Sequence, residues 1–370
     1  MSERRLSRRG LLLAGLGAST VAVGAGAAWY GGRFSGPATL RWRKPLPVPA
    51  DDLYLTGDTL LAAGSGLTAY AAGDGAVRWQ SDIGRGDIAP GRSGTAPFSS
   101  DRDSFAIRTA SGDSAVIRVA ALGDGAQRWR RSFEGYLGSA LLTWGGTVVA
   151  AADSASGRGL GAYDATGQRW WHGLEQADDG PFDLAAGGGT VLVAGRRLCA
   201  HDAADGTRRW SLAAGDGLAF GRPALHGDFA VALGMRYIDT DFGYRNLAVH
   251  GIDVAKGEVR WSYAAPGGFL LDGVPPKAGS TVLAVHEDGT LTGLDVSSGW
   301  ERWSGRADPT DLAVLGDRLF VARAEGVLTV NPVTGDTADV LPERDAYRLA
   351  ASGSRLAVAA GDTLALYDVR

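Results

Sequence analysis

The stretch HDAADGTRRW, His201 to Trp210, decides the fold because it keeps returning along the chain. Its copies are YAAGDGAVRW (Tyr70 to Trp79), AALGDGAQRW (Ala120 to Trp129), YDATGQRWW (Tyr163 to Trp171), IDVAKGEVRW (Ile252 to Trp261) and LDVSSGWERW (Leu294 to Trp303). Aligned on the glycine, each places a tryptophan four residues later: Gly75/Trp79, Gly125/Trp129, Gly167/Trp171, Gly206/Trp210, Gly257/Trp261 and Gly299/Trp303. A seventh copy, VNPVTGDTAD, keeps Asn331 and Gly335 but has Asp339 in the tryptophan slot. Glycine at a tight turn supplies a positive φ, and the residues on either side have strand propensity.

A second repeat lies upstream of these copies. Glycine, any residue, and threonine or arginine are followed by an apolar run: GDTLLAA at Gly57, GGTVVAA at Gly145, GGTVLVA at Gly188, GSTVLAV at Gly279, GDRLFVA at Gly316 and GSRLAVA at Gly353, with the weaker GDFAVAL at Gly227. Continuous apolar runs of this length predict strands buried on both faces. Each unit then reads as a buried strand, a turn, a second strand, the glycine hairpin and a strand carrying tryptophan. A further strand before the buried run brings the count to four.

The eighth copy is split. The chain ends LALYDVR, with Tyr367-Asp368 opening the motif, and the ordered body begins LRWRKPLP, with Arg41-Trp42 closing it. A motif shared between the termini is what a closed ring of blades requires, because closure removes the open sheet edges. The tryptophans at 42, 79, 129, 171, 210, 261 and 303, then Asp339, are 36 to 51 residues apart. A propeller blade takes about 40–45. The expected fold is therefore an all-β, eight-bladed β-propeller of four-stranded blades over residues 38–370, closed by pairing of the terminal strands. Seven blades is the fallback if the copy at Asn331 is irregular.

The pattern of alanine or glycine six residues before the glycine and tryptophan four after it resembles the tryptophan-docking repeat of quinoprotein-type (PQQ-like) β-propellers. Ala69-Gly75-Trp79 and Ala200-Gly206-Trp210 match it fully. The resemblance implies that Trp42, Trp79, Trp129, Trp171, Trp210, Trp261 and Trp303 each pack against a neighbouring blade. Burying one such ring removes about 150–250 Å² from water, on the order of 4–6 kcal/mol before ordering costs.

Composition narrows the function classes. The chain has 370 residues with 56 glycines and a single cysteine, Cys199, so no intrachain disulfide can form and cysteine-rich metal sites are excluded. The net charge is −4; with four arginines and one glutamate in the first 27 residues, the remainder carries −7. No basic stripe with interleaved aromatics supports nucleic-acid binding.

The amino terminus reads as a separate segment, residues 1–37. Ser7-Arg8-Arg9-Gly10-Leu11-Leu12 resembles the twin-arginine export signal, followed by an uncharged stretch from Gly10 to Gly32. Ala25-Gly26-Ala27 fits a cleavage site, while residues 11–30 are long enough to span a bilayer as an anchor. Both outcomes stay open, and both predict an extracytoplasmic body, secreted or membrane-anchored. With no cysteine after the apolar run, a lipidated amino terminus is not expected.

Family resemblance raises a PQQ-dependent dehydrogenase as the alternative function. Those enzymes use calcium held by Glu, Asn and Asp, a catalytic Asp and often vicinal cysteines. Here a cysteine pair is impossible, the chain is short for that group, and the two asparagines are Asn246 and Asn331, the latter taken up by the repeat. His172, His201, His226, His250 and His286 show no metal-ligand spacing, and the Gly-Asp-Gly strings read as turns. No catalytic residue, metal or cofactor is expected.

Two insertions stand out, at 84–105 and 234–251. The second carries Tyr237, Asp239, Asp241, Tyr244 and Arg245, aromatic anchors beside hydrogen-bonding groups as recognition surfaces have. The sequence thus predicts a non-catalytic, exported scaffold binding an envelope or extracellular protein, or a small ligand, through loops on one face.

Overall fold

The computed structural model describes residues 38–369 apart from residue 65 and segments 82–97, 101–102, 112–113, 135–136, 143–145, 155–156, 175–182, 239–242, 266–269 and 271–274. The export-signal reading of residues 1–37 and most of the 84–105 insertion lie outside the described residues. The described chain is all β: 32 strands form eight antiparallel sheets of four. No helix among the described residues is long and apolar enough to cross a membrane.

Blades 1 to 7 span residues 52–81, 98–134, 137–173, 183–213, 218–264, 277–306 and 311–341. Blade 8 comes from both chain ends. Ala346–Ser352, Arg355–Ala360 and Thr363–Asp368 are completed by Thr39–Pro45, with Thr39 opposite Asp368 and Pro45 opposite Thr363. The copy at Asn331 is the hairpin of a regular blade, between Gly326–Val330 and Thr337–Leu341. The ring therefore has eight blades.

The apolar runs explain why the blades stack. Strand side chains alternate between faces, so an unbroken run serves two neighbours at once. In Thr59–Ala63, Leu60 and Ala62 pack against blade 8 while Leu61 and Ala63 pack against blade 2. The buried apolar residues fall into eight clusters, one at each blade–blade interface. First strands of neighbouring blades touch around the axis, and the fourth strands lie outermost with exposed residues. An antiparallel meander puts the hairpins after the first and third strands on one rim, the motif rim. The hairpins after the second strands and the links between blades lie on the opposite rim.

Each motif tryptophan reaches forward into the next blade. Its indole Nε1 donates to a backbone carbonyl there: Trp42 to Ala72 at 3.1 Å, Trp79 to Leu122 at 2.9 Å, Trp210 to Val254 at 2.7 Å, Trp261 to Val296 at 2.8 Å and Trp303 to Pro332 at 2.8 Å. Trp129 donates to Gly146 at 3.2 Å, in the first hairpin of blade 3. Except for Trp129, whose counterpart Gly167 has nothing against it, the ring lies on the next blade's motif glycine. Gly206 has φ +77°, and a Cβ there would stand 2.5 Å from the ring of Trp170. Two demands therefore meet at this glycine, left-handed backbone and room for an indole.

That geometry corrects one assignment. Aligning on glycine puts Trp171 in the docking slot of blade 3, but Trp170 occupies it. Trp170 pairs with Ala162 across the sheet, as Trp210 pairs with Ala200, and donates to Ala203 at 3.2 Å. The cause is a shorter hairpin: Asp164 pairs directly with Gly167, so one residue fewer separates glycine from tryptophan. Trp171 points to the other face, over Gly159 and Gly161, and packs in the blade 2–3 cluster.

A polar counterpart accompanies the ring. The arginine before the tryptophan pairs with the aspartate that opens the hairpin: Arg169–Asp164 at 3.1 Å, Arg209–Asp202 at 2.6 Å, Arg260–Asp253 at 2.8 Å, and Arg302–Asp295. Arg41–Asp368, 2.9 Å, is the same pair assembled from opposite chain ends. The aspartate also accepts the amide two residues on, as Asp202 does from Ala204 at 2.8 Å, closing an Asx turn. Hydrogen bonds from the Ser297 hydroxyl and the Arg302 guanidinium hold Asp295 well below the usual carboxylate range.

A double-mutant cycle checks the joint. Trp170→Ala is expected to cost about 3–5 kcal/mol, and its effect should be strongly non-additive with Gly206→Ala, with a coupling of about 0.5–3 kcal/mol. Trp171→Ala should instead be additive with Gly206→Ala. Denaturant titration of the single and double variants gives the answer; coupling of Gly206 to Trp171 instead of Trp170 would overturn the reassignment.

Candidate functional site

The rim opposite the motif hairpins is set apart by blade 5. Its second and third strands, Phe229–Ile238 and Gly243–Asp253, run for 10 and 11 residues, against 5 to 8 in the other blades. Continued pairing through Tyr237 and Tyr244 carries the hairpin beyond the ring. Asp239 and Asp241 lie outside the described residues, so of the five predicted recognition residues the structure locates Tyr237, Tyr244 and Arg245. The backbone ladder sets the two tyrosines opposite one another, with Arg245 opposite Arg236.

Arg245 ties this hairpin to blade 6. Its Nη1 lies 3.0 Å from both carboxylate oxygens of Glu287. The pair is exposed and contributes roughly 0–1 kcal/mol. Asn246 and His286 each form a backbone bridge with Leu270, whose amide donates to the Asn246 carbonyl at 3.0 Å. Leu270 is buried there, so the inter-blade link packs between blades 5 and 6 beside the hairpin.

Beneath it lies a cavity of about 250 Å³. Leu233 and Val249 of blade 5, Leu270 and Pro276 of the link, Leu283 of blade 6 and Asp311 of blade 7 are among the residues that line it. Asp311 opens the first strand of blade 7, so it stands at the axial end of the same rim. Its carboxylate accepts the amides of Leu312 at 2.8 Å and Leu349 at 2.7 Å. Asp52 holds the corresponding position in blade 1 and accepts the Tyr54 hydroxyl at 2.6 Å. Between them, Arg348 of blade 8 donates to the carbonyls of Asp51, at 2.5 Å, and Tyr347, at 2.8 Å. Burial pushes both Asp52 and Asp311 above the usual carboxylate value, partly offset by hydrogen bonds and by Arg348. The sequence reading missed this group. Its one signal was an aspartate opening the first strand of three blades, Asp52, Asp183 and Asp311, and nothing in the repeat marks that position.

The remaining candidates belong to the scaffold. Cys199 is buried with Sγ 3.2 Å from the Ser211 hydroxyl, a cross-strand pair repeated by Thr292 and Ser304 at 3.2 Å. His201 is fully buried, bonds the Gly206 carbonyl at 3.0 Å and is held below its ordinary pKa by desolvation. In the Gly-Asp-Gly strings, Asp74 and Asp124 cap their own turns through the amides of Ala76 and Ala126, each at 2.9 Å. Among the described residues no three His, Cys, Asp or Glu side chains gather as a metal site.

Eight blades, joined at six of their eight interfaces through a Gly-backed indole, define a β-propeller of the PQQ-like repeat class. The chain belongs to the family described as outer membrane protein assembly factor BamB, whose model matches residues 63–213, 156–311 and 197–365. Overlapping matches in several registers are what a ring of like blades produces. No curated protein matches the sequence. Among solved structures, BamB from Moraxella catarrhalis aligns with a TM-score of 0.63 at 18% identity, covering 90% of this chain and 100% of that one. The computationally designed Ika8 protein aligns at 0.66 and 12%, covering 90% and 100%. Quinohemoprotein alcohol dehydrogenase ADHIIG from Pseudomonas putida HK5 aligns at 0.60 and 12%, covering 91% of this chain and 77% of that one.

Asp311→Asn tests the electrostatics of the cavity. Asparagine removes the buried charge but keeps an acceptor for only one of the two amides, which bond different carboxylate oxygens. A carboxyl whose folded pKa is raised favours folding when protonated, and that advantage is lost as pH rises through the folded value. The melting-temperature gap between variant and wild type is therefore expected to move in the variant's favour as pH rises from about 4 to about 7.5. A gap of equal size at both pH values would show that burial of the ionised form is not its source.

Proposed function

We propose that the chain is a non-catalytic, exported propeller scaffold that binds an envelope protein through loops on the rim opposite its motif hairpins. The observation that carries this reading is the blade 5 hairpin, whose paired strands are the longest second and third strands among the described residues. Membership of the BamB family supports it, since that family is named for assembly of outer-membrane proteins. The twin-arginine-like start and apolar run of residues 1–37 support an extracytoplasmic location, secreted or anchored through residues 11–30. The strand at Thr39–Pro45 begins on the motif rim, beside Asp368, so an anchor would tether that rim and leave the hairpin rim facing outward.

The PQQ-dependent dehydrogenase alternative draws support from the quinohemoprotein neighbours. The residues do not fit its calcium. That ion takes about 6–8 oxygen ligands, whereas the axial carboxylates Asp52 and Asp311 are engaged with Tyr54 and with backbone amides. No cofactor chemistry is assigned to the chain.

A pull-down from the cell envelope compares wild type with a Tyr237/Asp239/Asp241/Tyr244/Arg245 alanine variant. Capture of a discrete partner by wild type and its loss in the variant is the expected outcome; equal capture would remove the hairpin as the binding surface. In parallel, purified protein mixed with PQQ and calcium should retain no chromophore and oxidise no alcohol with an artificial electron acceptor. Retention with turnover would overturn the scaffold reading.

A further inference from the structure

The cavity beneath the blade 5 hairpin has one charged residue among its lining residues. Leucine, valine, alanine and proline form most of the wall, and Asp311 supplies the charge. Thr310 also lines it, but its hydroxyl donates to the Ala346 carbonyl at 2.7 Å. Neither Asp311 nor Asp52 has an ion-pair partner within 4.0 Å among the described residues, and Arg348, the cation between them, donates to the backbone carbonyls of Asp51 and Tyr347. Two carboxylates against one guanidinium leave the axial end of the cavity with a deficit of positive charge.

The volume limits the occupant. Sites for drug-sized molecules measure about 300–1,000 Å³, so about 250 Å³ suits a single long side chain. Lysine and arginine match both parts of the wall: an apolar stem packs on apolar surface while the charged head seeks an acceptor. A charge-assisted bond made away from bulk water is stronger than its exposed equivalent.

We propose that this cavity is a socket for one lysine or arginine side chain of a partner protein, its aliphatic stem against Leu233, Val249, Leu270 and Leu283 and its cationic head at Asp311. The inference rests on the preceding reading in taking a protein as the partner. The hairpin supplies the remaining contact area, since two of the socket's walls, Leu233 and Val249, belong to it.

The test uses the full chain and a blocked pentapeptide, acetyl-Gly-Leu-Lys-Leu-Gly-amide, titrated by NMR. Shifts are expected in the amides of Leu270, Leu283 and Leu312. Norleucine in place of lysine should weaken binding by about tenfold or more, and glutamate should abolish it. Asp311→Asn should bring the lysine peptide down to the norleucine level without unfolding the chain. Leu312→Trp, at a half-buried lining position, should block the socket from the apolar side. Equal binding of the lysine and norleucine peptides, or no binding at millimolar concentration, would overturn the proposal. So would n-butylamine binding as tightly as the peptide, which would mark a site for free amines instead. If the lysine peptide fails while the hairpin variant still loses its envelope partner, the socket is wrong and the scaffold function stands.

Discussion

The seating of an indole from one blade on a glycine of the next is the constraint from which the rest of this molecule follows. A flat four-stranded sheet with two apolar faces has no stable existence alone; it needs a neighbour on each side at a fixed distance. The indole sets that distance. Its ring lies against a backbone with no Cβ, and its nitrogen is satisfied by a carbonyl of the same neighbouring blade. A bulkier residue at the glycine would push the blades apart, and a smaller one at the tryptophan would leave a void and a carbonyl without its partner.

Ring closure adds a second demand, that the last interface be as good as the others although one joint lacks its tryptophan. Between blades 7 and 8 the slot holds Asp339, opposite Thr329. Phe320, Tyr367, Leu341 and Val369 fill that interface. A polar knot adds to it: buried Glu343 accepts both the Tyr367 hydroxyl and the Arg43 guanidinium. Arg43 comes from the first strand of the chain and Tyr367 from the last, so the knot ties both ends to the link between blades 7 and 8. The missing indole is replaced by contacts that only closure brings together.

What the sequence revealed follows from how local each feature is. Blade number, closure and the buried second strands were legible because glycine, apolar period and tryptophan spacing are all short-range. Trp170 was misread because a fixed spacing from glycine assumes a fixed hairpin length; blade 3 shortens its hairpin, and what is kept is the cross-strand partner, Ala162. The Arg–Asp pairs went unnoticed although an arginine precedes nearly every motif tryptophan, since pairing across a hairpin is a property of register. The axial group of Asp52, Arg348 and Asp311 was invisible, because it gathers single residues from blades 1, 8 and 7 that share no motif.

The two rims of the ring are under different obligations. On the motif rim the hairpins hold Asx turns, ion pairs and most of the carbonyls that the indoles need, so their length and composition are fixed by the joints. The opposite rim has no such duty. Links between blades and the hairpins after second strands can lengthen there without disturbing an interface, as blade 5 does by carrying its ladder out to Ile238 and Gly243. The same freedom extends to the axial end of that rim, where a carboxylate at the start of a first strand serves no tryptophan. Extra strand length is therefore accommodated on the face that stacking leaves alone.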